Sequence, residues 1–494
     1  MLSLIIFFPA LAALLGFFID DKNAKTYGVL AALLEFVFVL WGFGAGDFTQ
    51  GYALMQSSEL VSSIGVNYLV GVDGISYSLI LLASLVVLIS LLAAPSSKMI
   101  AVCVLAFEAS MIGAFSSLDG ILFYMFWELN LIPTFYLIGF YTKSKDASKA
   151  AFKFFVYGFA GSVFLLLGII YMAYLCMEQN GNFSFSLLDW TELDIPTNAQ
   201  IWLFLAFGIS FAVKSPLFPF HTWLPTAHKV APTVASMLLA LKMGTYGFIR
   251  FSLPLFPDAA AYFYPVIAVL AIITIIYGAF VAFAQDDIKM TIAYSTFSHS
   301  GLVVLSIFAL SYEGIAGAVY LMLAHGLVAT VLFMLIGILA DQRGSRKIKD
   351  FGAVAKSMPI FASVFALMML SYIGLPLTAG FVGEFLALLA AFKLSFYYGL
   401  FGAIAIIVGA AYMLNLFREV IFNEESGFKF KDICYVKKLI LLPLCAVVLV
   451  LGVYPAILLD DINIAAKDSI FKMLKNSSQS TKELIKNLNE GAAE

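Results

Sequence analysis

Long uninterrupted apolar runs constrain this chain more than any other feature of its sequence. Runs such as LLASLVVLISLLAA at 81–94 recur along its length, and 62% of its 494 residues are hydrophobic while only 12% are charged. Water-soluble domains do not bury so many apolar residues, whereas about 20 of them in a helix cross the ~30 Å hydrocarbon layer of a membrane. Because the runs lack the alternation of a transmembrane barrel, the sequence predicts an all-α fold, a polytopic membrane helix bundle.

The apolar runs divide into 14 predicted transmembrane spans. The first, MLSLIIFFPALAALLGFFIDDK, has no basic n-region and no small-residue cleavage site, so we expect a retained span rather than a signal peptide. The predicted spans begin near residues 2, 26, 74, 99, 118, 152, 200, 231, 260, 289, 312, 359, 397 and 436.

Positive charge is distributed unequally between the loops that join these spans. The odd-numbered loops hold most of the 28 Lys and Arg residues, including Lys143, Lys145 and Lys149, whereas the even-numbered loops hold only Arg250 and Lys393. By the positive-inside rule the odd-numbered loops face the cytoplasm. Both termini are therefore predicted on the outer, periplasmic side of a bacterial inner membrane.

The C-terminal tail after residue 460 contains no apolar run long enough to cross a membrane. Residues 462–488 intersperse isoleucine, leucine and phenylalanine with polar residues. This pattern predicts an interfacial amphipathic helix, with a solvated tail as the alternative.

Sequence motifs that would bind a cofactor are absent. The cysteines Cys103, Cys176, Cys434 and Cys445 form no C-x-x-C pair, the four histidines show no H-x-x-x-H spacing, and no glycine-rich phosphate loop follows a strand. The sequence therefore predicts no metal, iron–sulfur or nucleotide cofactor. A net charge of -3 gives no indication of a nucleic-acid partner.

The middle of the chain has the spacing of an inverted repeat. Five spans from residue 99 are followed by five from residue 260, and an odd number of helices per unit turns the second unit upside down. We expect N-terminal spans 1–3 in 1–98, the two repeats in 99–259 and 260–435, and the last span with the tail in 436–494.

The fourth helix of each repeat unit is predicted to be discontinuous. Pro216 and Pro219 interrupt the first of these helices, and Pro376 in GLPLTAG interrupts the second. Proline removes a backbone donor and clashes with the preceding turn, which leaves carbonyl groups that need water or polar partners. Two paired discontinuous helices therefore point to an ion pathway between the repeats.

Four ionisable residues lie deep inside predicted spans, namely Glu128, Lys214, Lys242 and Glu384. Each charge at the bilayer centre costs about 2.5 to 3.5 kcal/mol on insertion scales, so these residues require a compensating role. A structural ion pair between Glu128 and Lys214 is one interpretation. Proton transfer is the other, because burial favours the neutral form of lysine and a nearby carboxylate favours the charged form.

We therefore predict that Glu128 tunes Lys214, that Lys214 passes its proton laterally to Lys242, and that Glu384 is the exit group. His299 and His325 lie in spans between Lys242 and Glu384, where they serve either as proton relays or as hydrogen-bonded packing residues.

Further titratable residues lie in or near the spans. Glu108 is predicted to be an accessory relay, and Glu35 and Asp119 have no predicted role. His221 and His228 flank the first helix break, where they cap helix ends or line a cytoplasmic access route.

Four motifs, in this order, resemble the antiporter-like subunits of respiratory complex I. They are FWELNLIP at 126–133, VKSPLFPFHTWLPTAH at 213–228, DIKMTIAYSTFSHSG at 287–301 and GLPLTAGFVGEF at 374–385. The resemblance extends over nearly the whole chain. The chain is similar above all to the subunit M, or chain 4, family. Two features favour this family: Glu384 stands where sister subunits typically carry lysine, and no long lateral helix follows the last span.

The resemblance identifies Glu128 as the fifth-span glutamate of the family, Lys214 and Lys242 as its seventh- and eighth-span lysines, and Glu384 as its twelfth-span glutamate. It implies proton pumping driven by quinone reduction elsewhere in a complex. It also implies that this chain carries no redox cofactor and that sister antiporter-like subunits, lipids, protons and water are its partners.

The chain departs from the family pattern beside the first break. Residues 224–233 read LPTAHKVAPT where the family has LPDAHVEAPT, so two acidic residues are missing. The stretch before Lys242 is also about three residues shorter, which would rotate that lysine by about 60° on an ideal helix.

Three other functions fit parts of the pattern. An Mrp-type cation/proton antiporter subunit shares these motifs and would work without quinone chemistry. A stand-alone carrier for an organic solute would need an enlarged polar pocket. A structural membrane spacer would not require four charges within its spans.

Overall fold

The computed structural model describes residues 1–49, 51–142, 144–424 and 427–490. Lys143 of the loop-charge prediction and residues 491–494 of the predicted tail lie outside the described residues. The helices are α1 Leu2–Gly16, α2 Asp21–Ala45, α3 Gly74–Ala93, α4 Lys98–Ser116, α5 Gly120–Leu129, α6 Leu131–Gly139, α7 Ala147–Asn180, α8 Leu187–Trp190, α9 Thr197–Lys214, α10 Trp223–Val230, α11 Thr233–Leu238, α12 Met243–Gly247, α13 Leu253–Leu255, α14 Pro257–Phe283, α15 Ile288–Ile307, α16 Tyr312–Arg343, α17 Val354–Ser357, α18 Pro359–Tyr372, α19 Ala379–Leu394, α20 Phe396–Phe417, α21 Tyr435–Val453, α22 Ala456–Lys475 and α23 Gln479–Glu490.

Ten helices in the described part of the chain are long and apolar enough to cross a membrane. The remaining four predicted spans coincide with α1, with α9 and α10, with α11 to α13, and with α18 and α19. Every predicted span begins within five residues of a helix start. The predicted polytopic all-α bundle is thus confirmed.

The long helix α16 lies at the centre of the bundle. All of its residues from Gly314 to Leu339 are buried, and it packs against α3, α11, α15, α18, α19 and α22. A helix that is apolar on every face must be surrounded by other helices, which explains this position. It therefore brings His325, which it carries, into the middle of the molecule.

Both predicted discontinuous helices are broken in the structure. The first break separates α9 from α10 at 215–222, and the second separates α18 from α19 at 373–378. Each break contains the prolines that predicted it.

The eighth span contains a third break, which the sequence analysis did not predict. Helix α11 ends at Leu238, residues 239–242 are non-helical, and α12 begins at Met243. Lys242 has φ -114° and ψ 67°, so it stands outside the regular helix. The shorter spacing before Lys242 is therefore accompanied by a local break, and an ideal-helix rotation does not describe this lysine.

One face of the bundle carries a β-hairpin that the all-α prediction missed. Strands β1 Ala53–Val61 and β2 Val66–Val72 pair antiparallel between α2 and α3. The hairpin binds the N-terminal helix, because the Ser3 amide donates to Gln56 Oε1 at 2.9 Å. A two-stranded hairpin was overlooked because its strands are short beside the apolar runs.

The C-terminal tail forms two helices on the same face as the hairpin. Asn476 donates to the Pro254 carbonyl oxygen at 3.2 Å, and the Ser478 amide donates to Asp258 Oδ1 at 2.9 Å. Asn489 donates to the Leu310 carbonyl oxygen at 3.2 Å. The tail thus contacts even-numbered loops and is folded onto them, so the alternative of a solvated tail was wrong.

Arg250 was assigned to a loop, and this assignment was wrong. It lies in a π-helical turn at 248–252, is 6% exposed, and binds Asp73 at 2.7 Å. Its guanidinium also donates to the hydroxyl oxygens of Tyr246 and Tyr52, each at 3.0 Å. A buried guanidinium needs such partners, so Arg250 joins the hairpin to α3 and the eighth span.

Candidate functional site

Lys214 is the last residue of α9, directly before the first helix break. Its ammonium donates to the Trp127 carbonyl oxygen at 3.1 Å and lies 4.4 Å from the centre of the Trp127 ring. One backbone carbonyl group beside the break has a side-chain hydrogen-bond partner, since Trp223 Nε1 donates to the Val213 carbonyl oxygen at 2.9 Å. Lys214 is consequently held at the end of a helix by one carbonyl and one aromatic face.

Glu128 lies in the last turn of α5, one residue after Trp127. Its Oε1 atom is buried and has no hydrogen-bond partner among the described residues. Among the described residues, no carboxylate oxygen lies within 4.0 Å of Lys214 Nζ. The interpretation of Glu128 and Lys214 as a direct structural ion pair is therefore not supported by this conformation.

Lys242 occupies the break in the eighth span and is 9% exposed. Its ammonium donates to Ser300 Oγ at 2.6 Å and to the Thr296 carbonyl oxygen at 3.4 Å. Both acceptors lie one turn apart on α15, so the lysine reaches from the eighth span to the tenth.

A cavity of about 60 Å³ connects the two lysines. Its lining includes the side chains of Lys214 and Lys242 together with the polar residues Asn130, Thr134 and Thr245. A buried water requires about 10 to 15 Å³ and two to four polar partners, so the cavity has room for several waters. Lys214 and Lys242 therefore border one cavity, in which the polar groups stand among a mostly apolar lining.

Close backbone packing holds the two lysine-bearing breaks together. A Cβ atom added to Gly244 would lie 2.5 Å from Ser215 Oγ and 2.6 Å from the Ser215 amide nitrogen. Only glycine permits this approach of α12 to the end of α9.

Thr296 and Tyr372 extend the polar contacts beyond Lys242. Thr296 accepts from Lys242 through its carbonyl oxygen, and its Oγ1 atom lies 3.4 Å from Tyr372 Oη. The Tyr372 ring stands edge-on to the His299 and His325 rings at centroid distances of 4.7 and 4.8 Å. A hydroxyl-bearing ring thus separates the lysine from the histidines.

His299, His325 and Glu384 form a single cluster. Glu384 Oε1 lies 3.4 Å from His299 Nε2 and 3.1 Å from His325 Nε2, and the two imidazole centroids are 3.9 Å apart. These residues come from α15, α16 and α19, which pack against one another. The structure therefore brings together three residues that the sequence analysis proposed separately.

The same cluster has the composition of a metal-ligand set. One ligand atom from each of His299, His325 and Glu384 lies within 4.8 Å of the others. Sequence spacing does not reveal this ligand set, because the three residues come from different helices and show no regular spacing.

Glu108 is not among the residues that line the cavity between the lysines. It is fully buried on α4, its two carboxylate oxygens have no hydrogen-bond partner among the described residues, and its electrostatic neighbour is Glu35 of α2. Asp119 caps α5 by accepting from the Ile121 and Leu122 amides. The structure thus gives Asp119 a structural role and does not bring Glu108 to the lysine cavity.

His221 and His228 are buried beside aromatic rings. His221 stacks on Phe297 at a centroid distance of 4.6 Å, and His228 stacks on Phe333 at 5.1 Å. Neither ring nitrogen of His228 has a hydrogen-bond partner among the described residues. Neither histidine contacts the lysine cavity.

Sequence reasoning missed the hydroxyl groups of the site. Hydroxyl groups supply polar atoms around Lys242 and between Lys242 and the histidines; they belong to Ser300, Thr296, Thr245 and Tyr372. The spacing of Thr296 and Ser300 by four residues places them on one helix face and was the available signal.

Comparisons with known proteins place this arrangement in a family. A family model described as "NADH:quinone oxidoreductase/Mrp antiporter, TM" matches residues 117–409. The chain is 38% identical to NADH-quinone oxidoreductase subunit M of Rickettsia prowazekii (strain Madrid E) over 95% of this chain and 99% of the relative. It is also 38% identical to subunit M of Rhodobacter capsulatus over 93% of this chain and 94% of the relative.

The fold is similar to that of a solved membrane complex. A chain of respiratory complex I from Thermus thermophilus with bound NADH superimposes with a TM-score of 0.89 at 30% sequence identity. The superposition covers 96% of this chain and 100% of that chain.

Proposed function

The chain belongs to the subunit M family of NADH-quinone oxidoreductase, and we propose that it translocates protons across the membrane as one subunit of such a complex. Quinone reduction takes place elsewhere in the complex, and sister antiporter-like subunits are its neighbours. The chain itself moves protons and performs no redox chemistry.

The cavity between Lys214 and Lys242 is the observation that carries this proposal. A lysine that is removed from water and has no carboxylate in direct contact exchanges its proton more readily than an exposed lysine. Two such lysines border one cavity that has room for several waters, so one can act as proton acceptor and the other as proton donor. Proton transfer from Lys214 to Lys242 follows from this arrangement.

Glu128 acts on Lys214 through space rather than through a contact ion pair. It belongs to the same polypeptide segment as Trp127, whose carbonyl oxygen holds the Lys214 ammonium at 3.1 Å. A small movement at this segment changes the distance between carboxylate and ammonium. Such a movement switches the proton affinity of Lys214.

The second half of the route runs from Lys242 to Glu384. Thr296 and Tyr372 provide hydroxyl groups after Lys242, and His299 and His325 lie between Tyr372 and the carboxylate. Glu384 is then the exit group. Glu108 remains an accessory candidate that would feed this route only through water.

The termini are proposed to lie on the outer side of a bacterial inner membrane. In the structure the N-terminal helix and the tail both contact the even-numbered loops, and the odd-numbered loops carry the lysine and arginine excess. The repeat units are proposed to occupy 99–259 and 260–435.

An Mrp-type antiporter function is the second candidate and is less well supported. The family description names both groups, but the two relatives at 38% identity are subunits of NADH-quinone oxidoreductase. No feature of the described site is specific for Na⁺.

Replacement of Lys214 by alanine tests the proposal. In the assembled complex reconstituted into vesicles, Lys214→Ala should reduce the rate of proton pumping at least about tenfold, because the first acceptor of the route is lost. Lys149→Ala removes an exposed lysine in the first turn of α7 and serves as the control. Normal pumping in an assembled Lys214→Ala complex would refute the assignment.

A further inference from the structure

In the cluster of His299, His325 and Glu384, two imidazole nitrogens approach the same carboxylate oxygen. The His299 Nδ1 atom lies 2.9 Å from the Ser295 carbonyl oxygen, which can only accept a hydrogen bond. Nδ1 therefore carries the hydrogen, and in the neutral ring Nε2 presents a lone pair. That lone pair faces Glu384 Oε1 at 3.4 Å, so the two acceptors need either a proton or a cation between them.

A cation between these atoms would satisfy both acceptors. Histidines that bind metals usually donate their second ring N–H to a carboxylate or a backbone carbonyl, and His299 already does so. His325 Nε2 lies 3.1 Å from the same carboxylate oxygen. Two imidazoles and one carboxylate thus converge on one point.

The distances agree with a four-coordinate metal. Zinc bonds of about 2.0 to 2.2 Å in a tetrahedron separate neighbouring ligand atoms by about 3.3 to 3.6 Å. The separations of 3.1 and 3.4 Å in the cluster require shifts of only a few tenths of an ångström at these two edges. The ligand atoms of the two imidazoles lie within 4.8 Å of each other, so this third edge shortens when the metal binds.

The cluster also has space beside it. A cavity of about 10 Å³, bordered by His299, Glu384, Tyr372 and Tyr412, adjoins the ligands. This volume is about that of one water-sized sphere. The cavity borders two of the three proposed ligands, His299 and Glu384, and has room for one water beside them.

We propose that His299, His325 and Glu384 bind a divalent transition-metal ion such as Zn²⁺, and that the bound ion blocks proton transfer from Lys242 to Glu384. Imidazole ligands favour Zn²⁺, Cu²⁺ and Ni²⁺ over Mg²⁺ and Ca²⁺, which prefer oxygen. The metal and the proton use the same lone pairs, so one excludes the other. The blocking effect rests on the proposed proton route, whereas the binding does not.

Zinc binding to the purified complex tests the site directly. With Mg²⁺ in excess, equilibrium dialysis should show that His325→Asn binds one Zn²⁺ fewer per complex than the unmodified complex, or binds it at least about tenfold more weakly. Glu384→Gln should have the same effect. His221→Asn, which removes an imidazole outside the cluster, should leave the number of bound Zn²⁺ ions unchanged.

Electron cryomicroscopy of the unmodified complex equilibrated with Zn²⁺ provides a readout that needs no variant. Density for an ion between the two imidazoles and Glu384 is expected. An empty cluster, together with equal Zn²⁺ binding in the His325→Asn complex, would overturn the proposal.

Proton pumping in vesicles separates the two proposals. Zn²⁺ should inhibit pumping by the unmodified complex. If Zn²⁺ occupies the cluster and pumping continues, the metal site stands and the route through Glu384 fails. If Zn²⁺ inhibits pumping without occupying the cluster, the proposed metal site fails and the proton route stands.

Discussion

At the scale of single residues, Tyr372 is the group on which continuity between Lys242 and Glu384 depends. Its hydroxyl lies 3.4 Å from Thr296 Oγ1, and its ring packs edge-on against both histidines of the cluster. The hydroxyl contacts Thr296 and the ring packs against the histidines, so a substitution that removes only the hydroxyl tests its role in proton transfer.

Tyr372→Phe removes the hydroxyl and keeps the ring. Loss of one hydrogen bond costs about 0.5 to 1.5 kcal/mol, so the complex should assemble, while proton pumping per quinone reduced should fall several-fold. Tyr320→Phe is the matched control, because Tyr320 is also buried and donates to the Leu451 carbonyl oxygen at 2.6 Å, outside the route. Equal pumping by the two variants would contradict a role for Tyr372 in proton transfer.

The individual charged residues could be predicted from sequence because charge in a long apolar run is conspicuous. Glu128, Lys214, Lys242 and Glu384 stand out for this reason. Hydroxyl groups such as that of Tyr372 do not stand out, since serine, threonine and tyrosine are common in membrane helices. Their role depends on which helices pack against each other, and this is known only from the folded structure.

At the scale of elements, the broken helices set the positions of both lysines. Two breaks could be predicted because proline marks them, whereas the break at 239–242 contains no proline. It coincides with the close approach of Gly244 to Ser215 across two spans. A packing constraint between distant segments leaves little trace in the local sequence.

Gly244→Ala tests whether this packing positions the lysines. The added methyl group would collide with Ser215, so α12 must move, at a cost of about 1 to 3 kcal/mol. We expect lower thermal stability of the complex and reduced pumping. Gly44→Ala is the control, because nothing lies within 4 Å of the Cβ position at Gly44. Stability and pumping equal to those of the control would show that the contact does not matter.

At the scale of the whole molecule, one face joins the ends of the chain to its middle. The hairpin, α3, the eighth span and α22 meet at a cluster in which Arg250 contacts Asp73, Tyr52 and Tyr246. Lys472 of α22 lies 4.7 Å from the centre of the Tyr52 ring. This cluster fixes the ends of several helices on this face relative to each other.

Asp73→Asn should destabilise this face. Asparagine retains the ability to cap α3, where Asp73 accepts from the Ser76 amide at 2.9 Å, but it leaves the Arg250 charge buried without a counter-ion. Breaking a buried ion pair costs about 3 to 5 kcal/mol, so the unfolding temperature of the purified complex should fall markedly. Glu419→Gln, which breaks an exposed pair with Arg418, should cost about 0 to 1 kcal/mol. Similar unfolding temperatures for both variants would contradict this role.

The proton count per quinone reduced, measured in vesicles for Lys214→Ala, Lys242→Ala and the double variant, tests most directly whether the two lysines belong to one route. Groups that act in series lose their function together, so the double variant should pump no fewer protons than the more impaired single variant. Losses that multiply in the double variant, or a single variant that pumps normally, would show that Lys214 and Lys242 do not share a proton path.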